Sequence, residues 1–187
     1  YAPDWKIEGT EPGNNPTESR GDSIPLPIIV APEKTYKIPG ITEPIKRSQP
    51  IYAGSNFIWN EALWGDATGD NIRMPEHAGI TEKIVKMARY MDKVRADLGG
   101  TPIEVTSWYR DFQTNRLVNG ARWSQHLEGH AIDFRVMGED VVDTFYKLKG
   151  FAGGGLSLAV GQNFVHIDLR QGVSRWLYPG GPNVALW

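Results

Sequence analysis

Two short stretches of this chain alternate in character, and they constrain its fold more than any other feature. One runs from His130 to Val136 and the other from Phe164 to Leu169. A period of two marks a strand with one buried face, because successive side chains point to opposite sides. Ala131 and Asp133 then face one way, with Ile132 and Phe134 opposite. His166 and Asp168 likewise share a face, with Val165, Ile167 and Leu169 opposite. If the two strands are neighbours, Asp133 and His166 point from one sheet face into one cleft.

The other elements fit a sheet flanked by helices. Ile80, Ile84, Met87, Ala88, Met91, Val94 and Leu98 recur at helical spacing, with Thr81 as a capping residue and Gly99-Gly100 as the stop. Residues 102–109 read as a strand, 111–118 as a short helix and 139–148 as a second amphipathic helix. Gly153-Gly154-Gly155 turns the chain into a strand over 156–160. Helices and strands mix without a regular βαβ repeat, so the expected class is α+β with a small antiparallel sheet. Proline recurs nine times before residue 51. It lacks the backbone donor and clashes in a helix interior. Residues 1–53 are therefore read as an extended arm with short strands near 26–30 and 35–38, and residues 54–187 as the main folded domain.

Composition removes several classes of function. The net charge of −2 gives no electrostatic case for nucleic acid or anionic lipid. No apolar run approaches the length of a membrane span. Cysteine is absent, which excludes thiol catalysis, disulfides and cysteine zinc knuckles, and fits an extracytoplasmic bacterial protein. The first residue is Tyr1 rather than methionine, so a processed form is expected.

His126 lies in the loop before the first alternating stretch, and Gly129 lets the chain turn back. His126, Asp133 and His166 make a ligand set suited to a catalytic zinc, with a fourth position open for water. Ala131 is small and leaves room beside an ion. A rival pair, His126 and His130, has the i, i+4 spacing of a helical zinc motif. Its glutamate is misplaced, however, and Gly129 weakens a helix there.

These segments together resemble the LAS-type zinc peptidases, and within them the D-alanyl-D-alanine carboxypeptidase branch. The matching strings are Ser-Trp-Tyr-Arg (107–110), Asn115, Asn119-Gly-Ala (119–121), Ser-Gln-His-Leu-Glu-Gly (124–129), Ala-Ile-Asp-Phe (131–134) and Phe-Val-His-Ile-Asp-Leu-Arg (164–170), followed by Arg175-Trp176. Asn56-Phe57 to Glu61 is similar to the segment before the family's first helix. The resemblance implies a hedgehog and DD-peptidase-like fold, with zinc on His126, Asp133 and His166. It implies that Arg110 meets the substrate carbonyl or its oxyanion, and that Tyr109, Ser124 and His130 contact substrate.

One departure bears on mechanism. Relatives carry a glutamate base three residues before the last histidine, where this chain has Asn163. Others place a histidine five residues before it, where this chain has Gly161. Asp168 is the first candidate for the base, then Glu128 and His130. Asp168 reads equally well as a partner that orients a ligand.

The expectation is a zinc peptidase cutting D-amino-acid-containing peptides of peptidoglycan, as carboxypeptidase or endopeptidase. It would act in the periplasm, in the cell envelope, as a secreted protein or on a phage particle. The alternative is a zinc-containing peptidoglycan-binding or structural module without hydrolytic activity, possible as a phage tail or lysis component.

Overall fold

The computed structural model describes residues 32–65, 71–150, 152–180 and 186. The strand expected near 26–30 lies outside them. Residues 33–187 form one compact unit.

Two short strands, β1 (Thr35–Tyr36) and β2 (Ile45–Lys46), pair antiparallel. A five-residue helix follows, α1 (Trp59–Leu63). Glu61 helps to start it by accepting from Ile58 N at 2.8 Å. Ile38, Ile45, Ile51, Phe57 and Trp59 are all buried in the main core.

Helix α2 (Ala78–Asp97) buries Ile80, Ile84, Met87, Ala88, Met91 and Val94 along one stripe, as the periodicity requires. It starts one turn earlier than the sequence suggests, with His77 at the cap position. Thr81 is therefore inside the helix and buried rather than capping it. Gly99 and Gly100 take φ of +82° and +79°, and Gly100 N donates to Arg95 O at 2.9 Å, which closes the helix end.

Strand β3 (Ile103–Ser107) leads to α3 (Phe112–Leu117), capped by Asp111, whose side chain accepts from Thr114 N at 2.7 Å. Strand β4 (Ala131–Val136) leads to α4 (Val141–Lys149), capped in the same way by Asp140. Strands β5 (Gly155–Ala159), β6 (Phe164–Asp168) and β7 (Ser174–Leu177) complete the larger sheet.

That sheet has the order β3-β4-β6-β5-β7. Every pairing is antiparallel except the edge pair β5 and β7, which is parallel. The class is α+β, with a small antiparallel sheet beside this larger mixed one. One sheet face supplies Ile132, Phe134, Leu156, Leu158, Val165 and Ile167 to the core that also takes the α2 stripe. The opposite face carries the polar residues of the same strands.

Candidate active site

The pairing register sets Ser107, Asp133, His166, Ser157 and Trp176 side by side across five strands. Directly paired positions share a sheet face, so strands distant in sequence supply one row of side chains. His126 joins this row from the loop before β4. Its backbone carbonyl accepts from Arg110 N at 3.1 Å, which ties that loop to the end of β3.

Gly129 makes the loop possible. Its φ is +71°, and an added Cβ would lie 2.7 Å from Ile84 Cγ1 and 3.2 Å from Ile80 O on α2. Both the left-handed backbone and the close approach require glycine. The Gly129 carbonyl accepts from the buried Trp108 indole at 3.2 Å.

His126, Asp133 and His166 are all buried, and one ligand atom from each lies within 4.8 Å of the others. His126 Nδ1 is 2.7 Å from the Trp108 carbonyl, so it is the donor and Nε2 carries the lone pair. His166 Nε2 is 3.0 Å from Asp168 Oδ2, which leaves Nδ1 with the lone pair. His126 Nε2 and His166 Nδ1 are 3.2 Å apart, and both approach Asp133 Oδ1, at 3.2 and 2.7 Å. Three electron-rich atoms thus converge in a buried space, an arrangement that a divalent metal ion satisfies. Each histidine is held from behind by the partner that fixes its tautomer.

Charge follows the same layout. Burial pushes the His126 imidazole down, against the pull of Asp133. Burial also acts downward on His166, but its bonds to Asp133 and Asp168 outweigh that and raise it. The Asp133 and Asp168 carboxyls are held well below the usual carboxylate range. Burial opposes this; His126 and His166 prevail at Asp133, and His166 and Arg170 prevail at Asp168.

Above the ligands lies a cleft of about 680 Å³. Arg110, Ser124, His126, Asp133, His166 and Arg170 line it, with Trp123, Phe164, Trp176 and Tyr178 as aromatic walls. Trp123 is 81% exposed. Arg110 donates from Nε to Ser107 Oγ at 2.8 Å and from Nη2 to Asp133 Oδ2. It engages the Asp133 oxygen that does not face the histidines. Ser124 Oγ accepts from His126 N at 3.3 Å, so it shapes the loop as well as lining the cleft.

Other expected residues lie elsewhere. Tyr109 is buried, donates to Met74 O at 3.4 Å and does not line the cleft. Burial, with Glu76 and Asp111 nearby, pushes its phenol up to about 12. His130 is also outside the lining, with Nε2 buried and without a hydrogen-bond partner among the described residues. Glu128 is outside it too, paired with Lys83. Asp168 has no exposed surface. Arg170, Gly155 N and His166 surround it, and it stands behind His166 rather than in the cleft. Asn163 closes a 3₁₀ turn at φ +55°, a left-handed position that asparagine tolerates. Tyr178 and Trp123 were not singled out from the sequence. The two-residue spacing of Trp176 and Tyr178 on a strand face is the clue that points to Tyr178.

A family model for peptidase M15 matches residues 66–168, more than half of the chain. The chain belongs to the peptidase M15 family. The match ends at Asp168 and spans His126, Asp133 and His166. The chain is also 32% identical over 84 residues to a probable peptidoglycan L,D-endopeptidase, MepK, of Haemophilus influenzae. That alignment covers 42% of this chain and 45% of the relative, so the chain spans less than half of that relative's length. The motifs quoted above from residues 107–168 fall inside the M15 match, so the sequence resemblance and the comparison indicate one family.

Proposed function

We propose that this chain is a zinc-dependent endopeptidase acting on D-amino-acid-containing stem or cross-link peptides of peptidoglycan. The observation that carries the reading is the convergence of His126 Nε2, Asp133 Oδ1 and His166 Nδ1 beneath a cleft lined by Arg110. Bound zinc supplies Lewis acidity and a water-derived nucleophile at neutral pH. Around it the chain's own residues have separable tasks. The Trp108 carbonyl and Asp168 hold the two imidazoles in their ligand tautomers. Arg110, with a fixed positive charge and planar donors, faces the place where the substrate carbonyl takes on negative charge. Trp176, its ring centre 5.2 Å from that of His166, forms one wall of the site.

Cutting within a peptide is favoured over trimming its end. A carboxypeptidase needs a cation for the terminal carboxylate. The cations lining the cleft among the described residues are Arg110 and Arg170; Arg170 is taken up by Asp168, and Arg110, bonded to Asp133 of the ligand set, is placed for the scissile carbonyl rather than for a chain terminus. The name of the Haemophilus relative agrees in both polymer and bond position. Such a substrate lies outside the cytoplasmic membrane. No helix among the described residues is long and apolar enough to cross a membrane.

A second reading, a zinc-containing peptidoglycan-binding module, is favoured by one observation. Among the described residues, the cleft lining holds no carboxylate or histidine apart from the ligands themselves. A muropeptide digest separates the two. Zinc-loaded protein should consume cross-linked muropeptides without releasing free D-alanine, and metal-stripped protein should not. Failure to cut at any pH with zinc bound would remove the enzyme reading.

A further inference from the structure

A peptidase cleft without a free carboxylate or imidazole must stabilise its transition state with other groups. Among the described residues, the ionisable side chains lining the cleft are Arg110, Arg170, His126, Asp133, His166 and Tyr178. Three are the metal ligand set. Arg170 is committed to Asp168 through Nε and Nη2. Of the ionisable groups, that leaves Arg110 and Tyr178 to meet a developing negative charge on a substrate.

The position of Tyr178 is set by the sheet. Trp176 pairs with Ser157 in the row that carries Asp133 and His166. Tyr178 follows two residues later, and its backbone N donates to Leu158 O at 2.9 Å, which continues the β7 pairing. It therefore takes the face of Trp176, one step along the strand from the ligand row. Its ring packs edge-on against Phe164 at 5.3 Å, and both rings line the cleft. Asp168 lies one step from His166 on the opposite side of that row. The carboxylate thus stands behind the ligands and the phenol stands in front.

We propose that the Tyr178 phenol donates a hydrogen bond to the scissile carbonyl oxygen as it becomes the tetrahedral oxyanion, working beside Arg110. The inference rests on the peptidase reading above. The phenol keeps its proton throughout, so it makes and breaks no covalent bond. Burial, with the negative charge of Asp133, pushes Tyr178 up against the opposing effects of Arg110 and of side-chain hydrogen bonds with Trp176 and Ser157, so the phenol keeps its proton and is an O–H donor. A donor preorganised at a developing oxyanion is worth about 10²- to 10³-fold in turnover.

Tyr178→Phe removes only the hydroxyl. With a zinc-loaded wild type that cuts a cross-linked muropeptide, the variant should lose about 10²-fold in kcat with KM changed little. Its zinc content and melting temperature should match the wild type. Affinity for a phosphinic pseudopeptide, which carries a tetrahedral anion at the cleavage position, should fall by a similar factor in calorimetry. Normal kcat, or normal phosphinate affinity, overturns the inference while leaving the peptidase reading intact. A fall in kcat matched by lost zinc or lost melting temperature also overturns it, since the hydroxyl would then serve the fold. Fluorotyrosine at position 178 keeps the ring and the donor but ionises at lower pH. It should move the alkaline limb of kcat downward, and an unmoved limb counts against the proposal. If the wild type cuts nothing, the peptidase reading fails and this inference falls with it.

Discussion

Asp168→Asn tests what stands behind the ligand row. In the native chain the Asp168 carboxylate accepts from His166 Nε2 at 3.0 Å and from Gly155 N at 3.1 Å. Arg170 adds bonds from its backbone N at 3.0 Å and from Nε at 2.8 Å. An amide offers one oxygen and one NH₂ group in place of two oxygens. If the NH₂ turns toward Arg170 and Gly155, it meets donors. If it turns toward His166, that ring must accept at Nε2 and carry its proton on Nδ1. Nδ1 is the atom 2.7 Å from Asp133 Oδ1, where the metal needs a lone pair. The second arrangement competes directly with metal binding, and the first keeps the ring's tautomer but breaks the bonds from Arg170 and Gly155 that hold its support in place. Loss of such a partner weakens metal affinity by about 10- to 100-fold, or about 1.4 to 2.8 kcal/mol. Two charge-assisted bonds are weakened as well, so the fold should lose about 2 to 4 kcal/mol. Zinc affinity is read by competition with a chelating dye, and turnover is then measured with zinc in excess. We expect the affinity loss, with most turnover restored by added zinc. Native affinity with turnover lost would refute the reasoning and make Asp168 the group that moves the proton.

Arg110→Lys keeps the charge but cannot reach Ser107 and Asp133 together as the guanidinium does, so kcat should fall about 10²-fold with little change in melting temperature; normal turnover would relegate Arg110 to an ion pair. Gly129→Ala forces a side chain into a left-handed backbone with a Cβ 2.7 Å from Ile84. It should cost about 2 to 4 kcal/mol in denaturant unfolding, and an unchanged midpoint would show that the loop relaxes freely. Asp92 accepts from the Tyr52 hydroxyl, Ser55 Oγ and Asn56, and these bonds outweigh burial and lower its carboxyl. A lowered carboxyl stabilises the fold above its unfolded value of about 3.9 and loses that contribution as pH falls through the folded value. Asp92→Asn should therefore be less stable by about 1 kcal/mol at neutral pH, discounted for solvent screening, and the gap should close in acid; a pH-independent deficit would sink this account.

The parts of the fold that were legible in the sequence are those where one face is buried. The stripe of α2 and the alternation of β4 and β6 come from burial on one side, and burial is what a period records. Helix α1 is five residues long, too short to show a period. Strand β7 is four residues of Ser-Arg-Trp-Leu, half-buried throughout, and its parallel pairing depends on a partner that no local pattern names. In the site, the spacing of His166 and Asp168 gives a shared face. It does not say that Asp168 takes Nε2 and leaves Nδ1 forward. Tyr109 sits beside Arg110 in sequence, yet its ring turns into the core and only the arginine lines the cleft. Tyr178 was hidden because its role depends on β7 docking against β5.

The row from Ser107 to Trp176 also has a consequence for folding. No two of the three buried ligands lie within a few residues of each other, and Asp133 and His166 meet only through the β4 and β6 pairing. A slip of one residue in that pairing would send a ligand to the opposite face. A metal held by all three side chains would therefore bind one register and not its neighbours, and binding to the native state alone would add RT ln(1 + [L]/Kd) to stability. At a concentration 100 times Kd that bias is about 2.7 kcal/mol. The ion would act as a proofreader of strand alignment, rewarding the chain only after its sheet is correctly assembled.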